Sequence, residues 1–357
     1  LHPYPGRFIP AIPAHAISKY LGDSSGKHVL DPFAGCGTTL VAGQNANHNV
    51  TGIDASPIAC LLQRCYTKRV KPDSLESLSG LSDLFRDSSN QVEDVDVVVE
   101  NLGIPNLRHW FQDKAILAIH DYTTKVKKIE SKDARDLAWL ALSRVLVRVS
   151  NQQSDTQYRA IKSKYDESDI RQIICKSIER VTKMIENHSI TDGGNVATII
   201  HGDSRRPGSF EGVEGVDLVV TSPPYPNAYE YWLYHKYRMY WLEMDPIWLR
   251  TNEIGARPFY SGSGKKGADD YQGDMVKVWR NLNEVCNTDA TQVWIVGDSV
   301  IKGELVDTAQ LVIDAAEEFG WIVADRKHRI LPRNRSSFQG IGRQNREEVL
   351  IFKRGDD

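Results

Sequence analysis

Short apolar runs separated by stretches of helical character constrain this chain more than any other feature. "HVLDPF" (28–33), "NVTGID" (49–54), "VATIIHGD" (196–203), "VDLVVTS" (216–222), "TQVWIVGD" (291–298), "WIVADR" (321–326) and "EEVLIFK" (347–353) each read as a strand. Runs of this length alternating with helices predict a parallel sheet covered by crossover helices. The segment "VDTAQLVIDAAEEF" (306–319) has apolar residues at helical spacing and stops at Gly320, a helix-end signal.

Residues 71–195 break this rhythm and read as mostly helical. Ile170, Ile174, Ile178, Val181 and Ile185 share one helical face, and Leu137, Leu140, Ala141 and Val145 form the apolar stripe of a helix around 133–149. "SNQQSDTQ" (150–157) is expected to be a loop, and "SGSGKKG" (261–267) a flexible, mildly basic one.

At 357 residues, 41% hydrophobic and 25% charged, the composition is that of a soluble globular protein. No apolar run approaches the roughly 20 residues that a helix needs to span a bilayer. The start, "LHPYPGRFIP", lacks the regions of a signal peptide, and the absence of Met at position 1 suggests a beginning inside a longer sequence. Cysteines 36, 60, 65, 175 and 286 form no CxxC pair, which argues for a reducing compartment and against a zinc site. With a net charge of −3, any nucleic-acid surface must be a local patch. Residues 326–354, with nine Lys or Arg, offer one, and a solvated surface is the competing explanation.

"VLDPFAGCGTTLVAG" runs from a strand through Asp31, Gly35 and Gly37 into an expected helix. Glycines after a strand allow a tight turn and a close approach to a ligand. The Lys of a phosphate-binding P-loop is absent, as is the full GxGxxG fingerprint. Asp54 ends the next strand, where a carboxylate can accept from both ribose hydroxyls, and Asp203 ends the third, placed to accept from an adenine amino group.

"DPFAGCGTT", "TGIDAS", "HGDSR" and "TSPPY" resemble, in this order, the motifs of the S-adenosylmethionine-dependent amino-methyltransferases that modify DNA. "HPYPGRF" is similar to the segment of that family that closes over the cofactor's methionine end. The resemblance covers roughly residues 1–60 and 197–357. It implies an α/β fold with a doubly wound, mostly parallel, seven-stranded class I methyltransferase sheet and a helical insertion. It implies bound S-adenosylmethionine, with Asp31, Phe33, Gly35 and Gly37 around the methionine moiety, Asp54 at the ribose and Asp203 at the adenine. Tyr4, Arg7, Phe8, Thr38 and Thr39 would complete the pocket. The expected partner is double-stranded DNA, with a cognate restriction or defence component, in the cytoplasm and with no membrane or metal. The catalytic domain is expected over 1–70 and 196–357, with 71–195 a DNA-contacting or target-recognition subdomain, or alternatively a purely structural support. The long insert departs from the family's simplest pattern. Arg159, Lys162, Lys164, Lys265, Lys266, Arg333 and Arg335 are the candidate DNA-binding residues.

Ser222, Pro223, Pro224 and Tyr225 are the candidate catalytic residues. An exocyclic base amine is a poor nucleophile because its lone pair is delocalised into the ring. Acceptors aimed at its N–H groups favour the pyramidal amine and stabilise the charge that develops on nitrogen. Ser222 Oγ and the Pro223 carbonyl suit that role, and consecutive prolines hold the carbonyl in place. Tyr225 offers a face for a flipped base, whose stacking, worth roughly 1–3 kcal/mol, offsets part of the extrusion cost. The aromatics that follow (Tyr229, Tyr231, Trp232, Tyr234, Tyr237, Tyr240 and Trp241) are expected to be mostly core. No Pro-Cys dipeptide is present to supply the nucleophile for ring-carbon methylation.

Within the resembled family, Ser before Pro-Pro-Tyr goes mainly with cytosine N4 and Asp or Asn mainly with adenine N6. The expectation is N4-methylcytosine, with N6-methyladenine as the alternative. An RNA or tRNA base methyltransferase and a non-catalytic binding subunit are further alternatives. The first typically carries Asp or Asn before the prolines and an added RNA-binding domain.

Overall fold

The computed structural model describes residues 2–87, 94–155, 157–187, 195–227, 229–260, 266–330 and 346–355. They fall into two compact units. One comprises Leu1–Gly6, Arg64–Ile190 and Tyr234–Pro246, and the other Arg7–Gln63, Thr191–Leu233 and Ile247–Asp357. The helical unit therefore takes in 1–6, 64–70 and 234–246, beyond the 71–195 expected from sequence.

The second unit is built on strands β1 (His28–Asp31), β2 (Asn49–Asp54), β3 (Ala197–His201), β4 (Val216–Thr221), β5 (Cys286–Gly297), β6 (Ser299–Ile301), β7 (Glu304–Val306), β8 (Trp321–Ile330) and β9 (Arg346–Arg354). Seven form one sheet in the order β3-β2-β1-β4-β5-β9-β8, and β6 and β7 form a separate hairpin. The first five are parallel, and β9 runs antiparallel to both of its neighbours. This is a doubly wound, mostly parallel, seven-stranded sheet, as the sequence leads one to expect.

Central strands bury both faces, so their sequences are apolar at successive positions rather than alternating. Leu30, Val219, Trp294 and Phe352 enter one core cluster. Their chain neighbours Val29, Leu218, Val220, Ile295 and Ile351 enter the cluster on the other face. Trp279, from the helix Ala268–Val285, stacks on Trp294 at 4.7 Å and 11° and anchors the first cluster. Replacing either indole by Ala is expected to destabilise by about 3–5 kcal/mol. The order reverses between β1 and β4, since β1 leads outward through β2 to β3 and the chain returns to β4 on the other side. Ligands of open α/β sheets bind at the carboxyl ends of strands at such a switch point.

The helical unit contains the helices Pro72–Asp87, Val95–Leu102, Asp113–Lys127, Lys132–Val149 and Glu167–Glu186. The last begins in a reciprocal cap between Asp166 and Asp169 and buries Ile170, Ile174, Ile178, Val181 and Ile185 on one face. Leu137, Leu140 and Ala141 are buried in Lys132–Val149, with Leu146 rather than Val145 continuing the stripe. Among the described residues, no helix is long and apolar enough to cross a membrane.

Candidate active site

Asp54, Asp31 and the Ser222–Tyr225 segment lie at the carboxyl ends of β2, β1 and β4, three neighbours in the sheet. The buried Asp31 carboxylate joins them. Oδ2 accepts from Thr39 Oγ1 at 2.7 Å, and Oδ1 accepts from Thr221 Oγ1 at 2.6 Å and from the Phe33 backbone N–H at 3.0 Å. Thr39 Oγ1 also reaches the Val220 carbonyl at 3.3 Å. The end of β4 is thus tied to the glycine turn one residue before Ser222. Burial pushes the Asp31 pKa up to about 6, against the opposing effect of its three donors. Asp31 and Thr39 thus spend these groups on each other and on β4.

Asp54 holds the turn from the other side. Its Oδ2 accepts from Gly35 N–H and its Oδ1 from Ser56 N–H, both at 2.8 Å. Burial raises its pKa to about 6, these two donors lower it, and the charge of Asp31 raises it further. Gly37 sits at φ 82°, in the left-handed region, with its α-carbon against Gln63, and a Cβ there would meet Gln63 Cγ at 3.1 Å. Gln63 in turn donates to the Gly35 carbonyl at 2.9 Å. It backs the whole turn, and nothing in its local sequence marks it. Thr38 is buried, with its hydroxyl 3.6 Å from Cys36 Sγ.

Arg7 and Phe8 belong to this unit. Phe8 packs on the core, and Phe33 meets Trp294 edge-on at 6.5 Å. Arg7 lies close enough to the turn to oppose the rise that burial imposes on the Cys36 thiol pKa. Its Nε is buried and has no hydrogen-bond partner among the described residues. An orphaned guanidinium nitrogen at a glycine turn suits a cofactor's carboxylate. Tyr4 falls in the helical unit, where it stacks on His235 at 5.0 Å.

Asp203, at the end of the third strand, is engaged as well. Both of its oxygens are taken by Arg205, through Nε at 2.9 Å and Nη2 at 2.8 Å. Arg205 continues to Asp274 at 3.2 Å and to the Asn252 carbonyl at 2.7 Å. The acid read as an adenine acceptor is one end of a buried ion-pair network.

The Ser222–Tyr225 loop is clamped from both ends. Gly255 has φ 73°, and a Cβ there would come within 2.7 Å of the Tyr225 carbonyl oxygen. At Gly297 a Cβ would meet the Tyr225 ring at 2.8 Å. Asn227, at φ 58°, donates its backbone N–H to Gly255 O at 2.8 Å and its Nδ2 to Val300 O at 2.6 Å. Neither pin uses the Pro223 carbonyl. Ser222 Oγ lies 3.3 Å from the Tyr225 hydroxyl, so Tyr225 offers a phenol as well as a ring. Behind the loop, the buried Glu253 caps the helix Tyr231–Trp241, accepting from Tyr231 N–H at 2.7 Å and Trp232 N–H at 3.1 Å. Burial raises the Glu253 pKa to about 8, against those two donors.

Residues 216–357 match the DNA methylase family of N6 and N4 amino-methyltransferases. The type II methyltransferase M.MjaII of Methanocaldococcus jannaschii is 22% identical over 419 aligned positions, covering 92% of this chain and 77% of that protein. Residues 216–357 thus carry a domain of the DNA amino-methyltransferase type. The type II methyltransferase M.MvaI of Kocuria varians is 25% identical across 64% of this chain and 53% of its own length. The solved structure of the rRNA methyltransferase aviRa from Streptomyces viridochromogenes aligns over 99% of this chain and 88% of its own, at 13% identity and a TM-score of 0.36. The domain match and the two type II relatives support S-adenosylmethionine as methyl donor and methylation of base amines of DNA.

Of the candidate DNA-binding residues, Arg159, Lys162 and Lys164 are exposed on the loop after the helix Lys132–Val149. Lys266 is instead engaged, 3.7 Å from Asp274 and over the Phe259 ring. Lys265, Arg333 and Arg335 lie outside the described residues.

Proposed function

We propose that this chain methylates the N4 amine of a cytosine extruded from duplex DNA, in a type II restriction-modification setting in the cytoplasm. The observation that carries this reading is the clamped Ser-Pro-Pro-Tyr loop beginning directly after Thr221, which Asp31 ties to the glycine turn. Bound S-adenosylmethionine supplies an electrophilic methyl group on its sulfonium sulfur. Arg7 would hold its carboxylate, the backbone of Gly35 and Gly37 would line its amino-acid end, and Asp54 would accept from its ribose.

Ser222 Oγ and the Pro223 carbonyl accept the two N–H groups of the target amine, which turns its lone pair out of conjugation and stabilises the charge gained on attack. The prolines preset the carbonyl, so little reorganisation is needed. Tyr225, backed by Gly297, supports the base. The helical unit, through Arg159, Lys162 and Lys164, grips the DNA backbone. In the resembled methyltransferases Ser before Pro-Pro-Tyr goes mainly with cytosine N4, and this chain carries Ser222 there. Incubating the protein with labelled S-adenosylmethionine and unmethylated plasmid DNA or tRNA, then separating the nucleosides by mass, tests the reading. Label in tRNA alone, or none in DNA, would contradict it.

A further inference from the structure

Strand β4 reads "VDLVVT", and its last residue carries a hydroxyl as deeply buried as the valines before it. Thr221, Thr39 and Asp31 are 0%, 0% and 2% exposed and stand on three separate elements. Burying a hydroxyl or a carboxylate costs free energy unless it is bonded. Here all three are, because Asp31 accepts from Thr221 at 2.6 Å and from Thr39 at 2.7 Å.

Backbone pairing between β1 and β4 runs through Val29 with Leu218 and Leu30 with Val219. Past those pairs the link between the two strands passes to side chains. Thr39 Oγ1 reaches the Val220 carbonyl at 3.3 Å, and Asp31 Oδ1 holds the Thr221 hydroxyl. The same carboxylate holds the glycine turn at both ends, through the Phe33 N–H before Gly35 and through Thr39 after Gly37. On its other side β4 stays paired to β5 as far as Thr221, which stands opposite Trp294.

We propose that Thr221 is a positioning residue for methyl transfer, setting Ser222 against the glycine turn through the Asp31 carboxylate. The inference rests on the readings that the turn holds the methyl donor and that Ser222 accepts from the target amine. In-line transfer needs the reacting atoms aligned and about 3–3.5 Å apart, and a misplacement of about 1 Å can cost about a hundredfold. Donor and acceptor are carried by the ends of two different strands, and Asp31 joins the two carriers. Thr221 takes this anchoring bond, while Ser222 Oγ, one residue on, meets the Tyr225 hydroxyl. Stability alone would be served by apolar residues, since replacing both partners of a buried hydrogen bond by apolar groups of the same shape can be nearly neutral. It does not call for a carboxylate whose bonds run both to the turn and to the residue before Ser222.

The test uses the full chain with S-adenosylmethionine and unmethylated plasmid DNA. It measures the single-turnover rate, the Kd values for cofactor and plasmid, and the thermal midpoint. Thr221→Val keeps the shape and removes the hydroxyl, and is expected to slow methyl transfer about tenfold or more. Both Kd values should stay within about twofold of wild type, as for an interaction that acts on the chemical step. Thr221→Ser keeps the hydroxyl and loses a buried methyl group, so it should lower the thermal midpoint yet retain at least about half of the rate. If Thr221→Val folds poorly, Thr221→Cys takes its place, since a thiol is a weak donor and should give a smaller slowing of the same kind. A wild-type rate in Thr221→Val or its substitute, or a Thr221→Ser rate as low as that of Thr221→Val, would overturn the inference. A loss of cofactor affinity in proportion to the loss of rate would overturn it too. If Ser222→Ala is slow while Thr221→Val is normal, only the Thr221 role fails. Full activity of Ser222→Ala would remove both it and the acceptor mechanism.

Discussion

Ser222 Oγ and the Tyr225 hydroxyl stand 3.3 Å apart, so the first and fourth residues of the Ser-Pro-Pro-Tyr loop meet through their side chains. The tyrosine therefore has two separable parts, a ring laid on Gly297 and a hydroxyl facing Ser222. Tyr225→Phe keeps the ring and removes the hydroxyl, and is expected to lower kcat about tenfold while leaving cofactor affinity intact. Tyr225→Ala should fall further, by the loss of roughly 1–3 kcal/mol of stacking. Equal rates for Tyr225→Phe and wild type would show that only the ring matters.

Gly297 provides an independent handle on the same loop. An added Cβ would stand 2.8 Å from the Tyr225 ring, closer than packed atoms tolerate. Overpacking of this kind typically costs about 1–3 kcal/mol and displaces the group it strikes. Gly297→Ala is expected to cut turnover at least about tenfold, with the cofactor Kd little changed because the glycine turn is not touched. A proportionate loss of cofactor binding would mean that the damage is general.

Cofactor binding should be visible as stability. At about 100 times its Kd, S-adenosylmethionine adds roughly 2.7 kcal/mol to the folded state, and the thermal midpoint rises accordingly. Asp54→Ala should abolish most of that rise, since Asp54 both braces Gly35 and faces the expected ribose. An unchanged midpoint in saturating cofactor would count against the assignment of the pocket.

The fold is more legible in the sequence than the site. All seven apolar runs are strands of the main sheet, since the central ones are apolar at successive positions and even the edge strands β3 and β8 hold β-branched or aromatic residues. The hairpin Ser299–Ile301 with Glu304–Val306 is not foreseen, since three-residue strands carry too little pattern. β5 starts at Cys286, before the apolar run, because its polar beginning leaves the register with β4 irregular. At the site, the acids and the Ser-Pro-Pro-Tyr loop can be read, but their internal partners cannot. Thr221 lies 190 positions from Asp31, and only the adjacency of β1 and β4 brings them together. Arg205, two residues from Asp203, is near enough to suspect, yet its bidentate pairing depends on how the loop after β3 folds.

Stability should respond to pH in an unusual direction. Asp31 and Asp54 have folded pKa values of about 6 and Glu253 of about 8, all above the usual carboxylate range because of burial. A raised folded pKa means that the native state binds the proton more tightly than the unfolded chain does. The stabilising contribution is full below the unfolded pKa, near 4, and is lost as pH rises through the folded value. The cofactor-free protein should therefore gain stability on acidification from about pH 8 toward pH 5, by at most about 1.4 kcal/mol per pH unit per group. Glu253→Gln should flatten the upper part of that window. A thermal midpoint that falls steadily over the same range would refute the burial argument for these three acids.

The DNA grip should lie partly in the helical unit. Arg159, Lys162 and Lys164 project from the loop after the helix Lys132–Val149, whose backbone is braced by Asn151 N–H to Trp110 O at 2.7 Å and Gln153 N–H to Arg159 O at 2.9 Å. A braced loop with exposed cations suits phosphates, which fix position without reading sequence. Replacing all three by Ala should weaken plasmid binding and reduce the slope of log K against log salt by about 0.9 for each phosphate no longer neutralised. Methylation at saturating DNA should persist, because none of the three belongs to the Ser222 loop. An unaltered affinity and slope would place the DNA elsewhere.

The methylated base tests the reading of position 222. A serine hydroxyl accepts with no net charge, whereas a carboxylate would add one, so the amine here must be polarised mainly by geometry. That geometry is set by the two prolines, by Gly255 against the Tyr225 carbonyl and by the contact of Ser222 Oγ with the Tyr225 hydroxyl. Digestion of modified plasmid is expected to yield N4-methylcytosine, and Ser222→Ala to reduce its yield per unit time by about tenfold or more. Ser222→Asp should not raise it, because a carboxylate beside the phenol would take the Tyr225 proton instead of the amine's. Recovery of N6-methyladenine alone would overturn the cytosine assignment and leave the acceptor mechanism in place, since both amines need the same two acceptors.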